Sequence, residues 1–383
     1  MDLSDYQAGS YEAQYQYQSF LPTPINHEWL IADPALQQLL SQADRALGEL
    51  NAFSQLVPDV DFFIQMYVAK EATYSSRIEG TQTNVEDAFK DFDDVSPEKR
   101  NDWDEVQNYI QAMNHAVERL ATLPFSNRLL KEAHAILLQG VRGQAKHPGE
   151  FRTSQNWIGV SLKNAVFVPP HFERVPDLMS DMEKLLHDEE RYVPPLIKIA
   201  IAHYQFETIH PFLDGNGRLG RLMIPLYLAS EAVLTKPALY LSDYFERHKT
   251  AYVDHLMAVR EGNHLREWLV FFLYGVEETA KSSISVFKNI LALKERIDRD
   301  VLPQFSTRRH ENARRLIDHL YKKPVMDTKA VTDFLGTTPN TASAMVSDLV
   351  KHGVLTEMTG QRRNRLFIFR DYIELFTRRE SDV

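Results

Sequence analysis

The stretch IAHYQFETIHPFLDGNGRLGRLMIPLYLA, residues 201–229, decides how the rest of the chain is read. An apolar helical run leads in from about Pro195 to Ile209, and another leads out from about Asn216 to Ala232. Between them, DGNG is too glycine-rich to continue a helix. Gly215 and Gly217 let the backbone reach positive φ and approach a ligand closely. The second helix begins about Asn216–Arg218, and its unpaired N–H groups and positive dipole end make a site for an anion. Arg218 and Arg221 lie one turn apart, so both can point into one pocket. Two guanidiniums there suit a polyphosphate better than a single carboxylate. Asp214 suits a hard cation such as Mg²⁺, which nucleotide phosphates bring with them. His210 is the nearby group able to take a proton near neutral pH. A base, a cation ligand and a phosphate cradle between residues 210 and 221 describe phosphoryl or nucleotidyl transfer.

Outward from this stretch the chain is mostly helical. Helical spacing of apolar residues covers Asp33 to Phe53, Pro58–Arg77, Trp103–Leu120, Asn127–Leu138, Val175–Asp188, Asp243–Arg260 and Leu265–Arg299. Residues 1–30 read as an irregular polar arm. Strand-like material is scarce; WIGVSLKNAVFVPP (Trp157–Pro170) reads as a hairpin turning at Lys163-Asn164. Pro303 in VLPQFSTRRHE marks the best domain boundary.

The bulk properties narrow the classes. The 383 residues are 44% hydrophobic and carry no cysteine, which excludes disulfides, thiolate nucleophiles and cysteine-ligated zinc. No apolar run nears the ~20 residues of a membrane span, and the polar N-terminus is no secretory signal. A cytoplasmic protein with no membrane partner is the expectation. A net charge of −10 argues against coating nucleic acid along the whole length. Residues 308–383, however, hold 14 Lys+Arg and 10 Asp+Glu, a net of +4, leaving −14 on the preceding residues.

HPFLDGNGRLGR resembles the signature of the Fic family, His-x-Phe-x-(Asp/Glu)-Gly-Asn-Gly-Arg-x-x-Arg, at all eight fixed positions. The likeness extends to GEFRTSQNWIG, the Val166–Pro170 run and YFERHKTAY, over roughly residues 30–280. It implies a mainly α fold: a Fic-type helical core with a small β-hairpin flap. The expected domains are a 1–110 helical region, a 111–300 catalytic core and a 301–383 winged helix. It further implies a protein adenylyltransferase that moves AMP from ATP to a Ser, Thr or Tyr hydroxyl of a target protein, the target being in one case itself. His210 would be the base and Asp214 would hold Mg²⁺. Phe212, Gly215, Asn216, Gly217, Arg218 and Arg221 would form the nucleotide site, with Phe212 anchoring its loop. Val166, Phe167 and Val168 of the flap would dock the target by strand addition. Where relatives often have Asn-Arg near the nucleotide, this chain has His248-Lys249, so a different transferred group stays open, as does removal of AMP.

SSRIEG, residues 75–80, resembles the family's inhibitory motif, (Ser/Thr)-x-x-x-Glu-(Gly/Asn). The resemblance implies that Ser75 and Glu79 act on Arg221, with Glu79 taking the guanidinium meant for the γ-phosphate. The bland alternative is a surface helix end capped by Gly80. A homodimer burying Glu79 is an option that no motif specifies.

Beyond residue 301, three helical patterns and a basic hairpin read as a winged helix with Thr338–Lys351 as recognition helix. Asn340, Thr341, Arg362, Arg363 and Arg365 are its candidate DNA contacts. The alternative function is a transcriptional regulator whose Fic core senses nucleotide. His134, His147, His171 and His187 lack metal-type spacing and read as structural or solvated. His203 and Tyr204 read as core, and Asp91, Asp93 and Asp94 as a solvated acidic turn.

Overall fold

The apolar run ahead of His210 folds as a helix with no solvent face: every residue from Leu196 to Ile209 is buried. Such an all-round apolar helix belongs at the centre of a helical stack. The computed structural model describes residues 1–56, 60–361 and 365–377, and it is mainly helical.

In chain order the helices are α1 (Pro34–Leu56), α2 (Val60–Ile78), α3 (Arg100–Arg119), α4 (Asn127–Leu137), α5 (Val175–Leu186), α6 (Pro195–Ile209) and α7 (Asn216–Ser230). They continue as α8 (Ser242–Arg247), α9 (Lys249–Gly262), α10 (Leu265–Arg296), α11 (Thr307–Leu320), α12 (Thr328–Leu335), α13 (Pro339–Lys351) and α14 (Arg370–Thr377). Short strands form β1 (Gly9–Ala13), β2 (Gln18–Pro22), β3 (Ile158–Gly159), β4 (Ala165–Phe167), β5 (Val325–Asp327), β6 (Thr356–Glu357) and β7 (Leu366–Ile368).

Helix α6 packs between α5 and α7, and α7 also meets α2, α3 and α4. The long helix α10 runs along α1. Trp268 of α10 is buried, and its indole N–H donates to the Ala200 carbonyl at 2.9 Å. A boundary at residue 110 falls inside α3, which packs on both α2 and α4, so the N-terminal region and the core share this helix.

Three departures from the sequence reading have local causes. The arm 1–30 is not irregular throughout: β1 and β2 form an antiparallel hairpin pairing Gly9 with Pro22. The helix expected over Asp243–Arg260 breaks at His248 (φ −111°, ψ 33°) into α8 and α9. The long C-terminal run of α10 widens into a π-helical turn, Ile297–Val301, before Pro303 ends it.

The Trp157–Pro170 hairpin forms as expected, with β3 antiparallel to β4 and a tight turn at Leu162–Asn164. Past residue 301, helices α11 to α13 stand beside a three-stranded antiparallel sheet in the order β5-β7-β6. This unit is tied back to the core. Tyr321 and Tyr372 pack against Phe63 at 5.5 and 6.2 Å, and Lys323 pairs with Asp91 at 2.8 Å.

Candidate active site

His210 ends α6 in the left-handed region, φ 50° and ψ 60°. A non-glycine residue there stores of order 1–3 kcal/mol of strain and persists because its surroundings hold it. Two side chains do so. Arg152 Nε donates to the His210 carbonyl at 3.0 Å, and Asn156 Nδ2 donates to the same oxygen at 3.1 Å. Asn156 Nδ2 also reaches the Phe212 carbonyl at 2.9 Å. Arg152 continues to the Pro170 carbonyl at 2.5 Å, so it joins the flap base to the end of α6. Burial pulls its guanidinium down to about 10. The imidazole of His210 is pulled down to about 4, chiefly by burial and then by Arg260 and Arg152. At neutral pH it is therefore uncharged and able to accept a proton.

The loop from 211 to 215 is braced from inside. Phe212 is fully buried, stacked on the His134 ring at 3.8 Å. Asn216 closes a two-point clasp on Phe212, its Oδ1 accepting from the backbone N–H and its Nδ2 donating to the carbonyl, both at 2.8 Å. The Asn216 side chain is thus spent on holding the loop. His134 accepts the Gly149 N–H at Nδ1, 2.8 Å, which leaves its Nε2 proton to donate to the Asp214 carbonyl at 2.9 Å. Burial lowers His134 to about 4, so it stays neutral while doing this. Asp214 itself is a third exposed.

Gly215 (φ 75°) precedes α7, and no side chain caps the helix. The first N–H groups of α7 are therefore left for an anion. Arg218 and Arg221 both follow on this helix, yet each is already engaged. Arg218 donates to Glu105 Oε2 of α3 at 2.9 Å and lies 3.9 Å from Asp214. Arg221 donates from Nε to Ser75 Oγ at 2.9 Å, from Nη2 to the Ser75 carbonyl at 2.9 Å, and to Glu79 Oε1 at 2.6 Å. Glu79 sits on the turn just past α2, over the bare backbone of Gly217: a Cβ there would stand 2.3 Å from Glu79 Oε1. Burial works against the Glu79 charge, but the Arg221 charge and hydrogen bond, with Arg218 and His210, hold its carboxyl below the ordinary range. The Glu79 carboxylate thus stands over the start of α7.

Several expected contacts sit apart from this cluster. His248 is exposed and packs its ring against Tyr244 at 4.7 Å. Its neighbour Lys249 reaches inward instead, Nζ donating to the Ile78 carbonyl at 2.6 Å, one residue before Glu79. In the flap, Val166 is 68% exposed and open to a partner strand. Phe167 is a core residue under the Arg260 guanidinium at 4.0 Å, and the Val168 carbonyl accepts the Phe20 N–H of β2 at 2.9 Å. Phe167 thus keeps its side chain in the core, and Val168 gives its carbonyl to β2. Asn340 and Thr341 are exposed on α13, while Arg365 leans on Glu357 at 3.6 Å. Arg362 and Arg363 lie outside the described residues.

The sequence reading missed Glu105, Arg152 and Asn156 as braces; it took His134 as structural or solvated and named Lys249 only beside the nucleotide. GEFRTSQNWIG was a visible signal for Arg152 and Asn156; nothing local marks the others.

Comparison with known proteins points to one family. Residues 37–118 match the Fic/DOC family N-terminal region, and residues 124–228 match the Fic/DOC family. The chain is 34% identical over 131 residues to "Protein adenylyltransferase fic-1" of Caenorhabditis briggsae, covering 31% of this chain and 25% of that protein. It is 32% identical over 132 residues to "Protein adenylyltransferase Fic" of Aedes aegypti, covering 34% and 24%. The aligned part spans about a quarter of these relatives' length. A Fic family protein from Desulfovibrio desulfuricans G20 shares the fold with a TM-score of 0.53 at 19% identity, covering 89% of this chain and 97% of that one. No helix among the described residues is long and apolar enough to cross a membrane. The chain therefore carries a Fic/DOC family N-terminal region at residues 37–118 and a Fic/DOC domain at residues 124–228.

Proposed function

We propose that the chain is a self-inhibited protein adenylyltransferase of the cytoplasm, moving AMP from ATP onto a Ser, Thr or Tyr hydroxyl of a target protein. The observation that carries this is the uncharged His210, fixed in a left-handed turn beside the uncapped start of α7. The target hydroxyl oxygen attacks the α-phosphorus. Its proton passes to His210, the α–β bridging P–O bond breaks and pyrophosphate leaves. The N–H groups at the start of α7 take the charge that develops. Arg221, freed of Glu79, takes the γ-phosphate, and Val166 of the flap presents its strand to the target.

Mg²⁺ fits the donors present. The Asp214 carboxylate is a hard oxygen ligand at the cradle's edge, a third exposed, and its Oδ1 is fixed by the Gly215 N–H at 2.7 Å. One carboxylate plus nucleotide phosphates is a usual holding for this ion. Bound there, it would offset charge on the phosphates.

The test uses the Glu79→Gly chain with ATP labelled at the α- or the γ-phosphate, followed by intact mass. Label from the α position and an added AMP mass are expected, and a further His210→Ala change lowers the rate ~10²–10⁴-fold. Label from the γ position, or a rate indifferent to His210→Ala, overturns the reading. Parallel incubations with UTP and CDP-choline report on the alternatives left open by His248-Lys249.

A second reading concerns residues 301–383. Helices α12 and α13, joined through Gly336 (φ 62°), stand beside the β5-β7-β6 sheet as in a winged helix, with Asn340 and Thr341 outward on α13. We infer a DNA contact of modest strength there, since the net charge of residues 308–383 is only +4. Retardation of duplex DNA that weakens with salt and with Asn340→Ala supports it; salt-independent behaviour with no shift removes it.

A further inference from the structure

Arg221 carries one positive charge and lies among three carboxylates. Glu79 takes its direct hydrogen bond at 2.6 Å. Glu71 of α2 is buried but fully served, accepting from Tyr109 Oη at 3.0 Å, from Ser242 Oγ at 2.6 Å and from the Ser242 N–H at 3.1 Å. Glu207 is different. It sits on the last turn of α6, three residues before His210, and is 7% exposed. Its Oε1 is sealed from solvent and has no hydrogen-bond donor among the described residues. That oxygen is pressed against α7: a Cβ on Gly220 would lie 2.3 Å from it.

The cations near Glu207 spend donors elsewhere. Arg221 gives Nε and Nη2 to Ser75 and Glu79. Arg260 of α9 gives Nε to Thr208 Oγ1 at 3.1 Å, Nη2 to the Glu207 backbone carbonyl at 3.0 Å and Nη1 to Met257 Sδ at 3.4 Å. The remaining titratable groups around it are Tyr252 of α9 and, on its own helix, His203 and His210. A carboxylate oxygen buried with no donor is costly when ionised and comfortable when protonated.

We propose that Glu207 is a proton-gated positioning residue for Arg221: a nucleotide's terminal phosphate is admitted when the Glu207 carboxyl carries a proton and is opposed when it does not. The inference rests on the reading that Arg221 receives that phosphate. Its physics is a charge count. At rest, Glu79 sets one negative charge beside Arg221. Exchanging Glu79 for a terminal phosphate sets about two there. The added negative charge pushes Glu207 further toward its protonated form, so binding draws a proton from solvent onto the Glu207 carboxyl, with no other bond made or broken. With Glu79 in place, burial and the Glu79 charge, against the opposing pull of Arg221 and Arg260, place Glu207 at about 7, so this exchange falls in the neutral range. The sign follows: affinity is full where Glu207 is protonated, below about 7, and is lost as pH rises through and above it.

The experiment measures ATP affinity with Mg²⁺ present, by calorimetry, for full-length Glu79→Gly and for Glu79→Gly/Glu207→Gln between pH 6 and 8.5. Titrations in two buffers of different ionisation heat count the protons taken up. The first variant is expected to take up protons on binding and to weaken by up to tenfold per pH unit on the alkaline side. The second, whose amide is permanently neutral, is expected to lose that part of the uptake, to flatten, and to bind several-fold more tightly at pH 8. Equal pH profiles and equal proton counts in the two variants overturn the gate while leaving the transferase reading intact. Failure of Glu79→Gly to bind ATP at any pH overturns both. Should Glu207→Gln not fold, the infrared difference spectrum of Glu79→Gly decides: a protonated-carboxyl band that grows when ATP is added at pH 8 supports the gate, and its absence removes it.

Discussion

Arg218 and Arg221 stand one turn apart on α7, yet they meet carboxylates of opposite character. Glu105 projects from within α3, and in its pair with Arg218 the two side chains are 6% and 2% exposed. Glu79 lies on the turn just beyond α2, and 37% of its side chain is open although its carboxylate is ringed by protein. Burial raises the Glu105 carboxyl, with Arg218 and Arg142 only partly offsetting it. For Glu79 the balance is reversed, and Arg221 holds it low. A sealed partner in the body of a helix cannot leave without unpacking α3. A partner on a helix end can swing away. On the self-inhibited reading proposed above, one end of the cradle is a fixed wall and the other a door.

The comparison breaks most visibly at the wall. Glu105→Ala strands the buried Arg218 and is expected to cost about 3–5 kcal/mol, read by urea unfolding, together with loss of labelling. A stable, more active Glu105→Ala would erase the distinction. Next comes the door: Glu79→Gly is expected to raise labelling from α-labelled ATP by at least tenfold, with stability nearly unchanged. Equal labelling by parent and variant would mean that Glu79 is no brake.

Acid tests the braces common to both ends. His134 and His203, whose Nδ1 bonds the Gly220 carbonyl of α7 at 2.9 Å, are buried neutral, lowered to about 4 and about 3, in each case mainly by burial. A depressed folded-state value gives stability that is present above ~6.5 and lost as pH falls through the folded value. Unfolding free energy should therefore decline from pH 6.5 toward 4, and His134→Asn should make that decline shallower. The smallest effect is expected at Lys249, whose single hydrogen bond holds the Ile78 carbonyl beside the door. Lys249→Met should raise labelling a few-fold, about 1 kcal/mol, and no change would show that the α2 end needs no latch.

What the sequence disclosed follows the range of the forces involved. Helices α6 and α7 and the loop between them were legible because apolar periodicity and glycine placement are local. The pairing of Glu79 with Arg221 was legible because a known motif stands in for its 142-residue separation. Glu105 meets Arg218 across 113 residues and His134 meets Asp214 across 80, with no motif to carry either pairing. The β1–β2 hairpin hid because its turn, QYQY at residues 14–17, holds no Gly, Pro, Asn or Asp to mark it. Its order comes from tertiary anchors, among them the Ala8 N–H on Asn263 Oδ1 at 2.7 Å and the Phe20 ring on Phe167 at 5.9 Å. The break at His248 hid because no Gly or Pro marks it.

The bond from Phe20 to Val168 reaches into practice. The family match begins at residue 37, and a shortened version cut there would keep His210, Asp214 and both arginines. It would also strip β2 from the flap's foot, baring the Val168 carbonyl and the Phe167 ring. If the transferase reading holds, such a fragment would carry an intact engine with a loosened clamp, and its choice of targets would report on the cut, not on the protein. The same bond orders biosynthesis: the arm is made first, but it must wait for residues 155 to 168 and then for Asn263 before it has anything to hold.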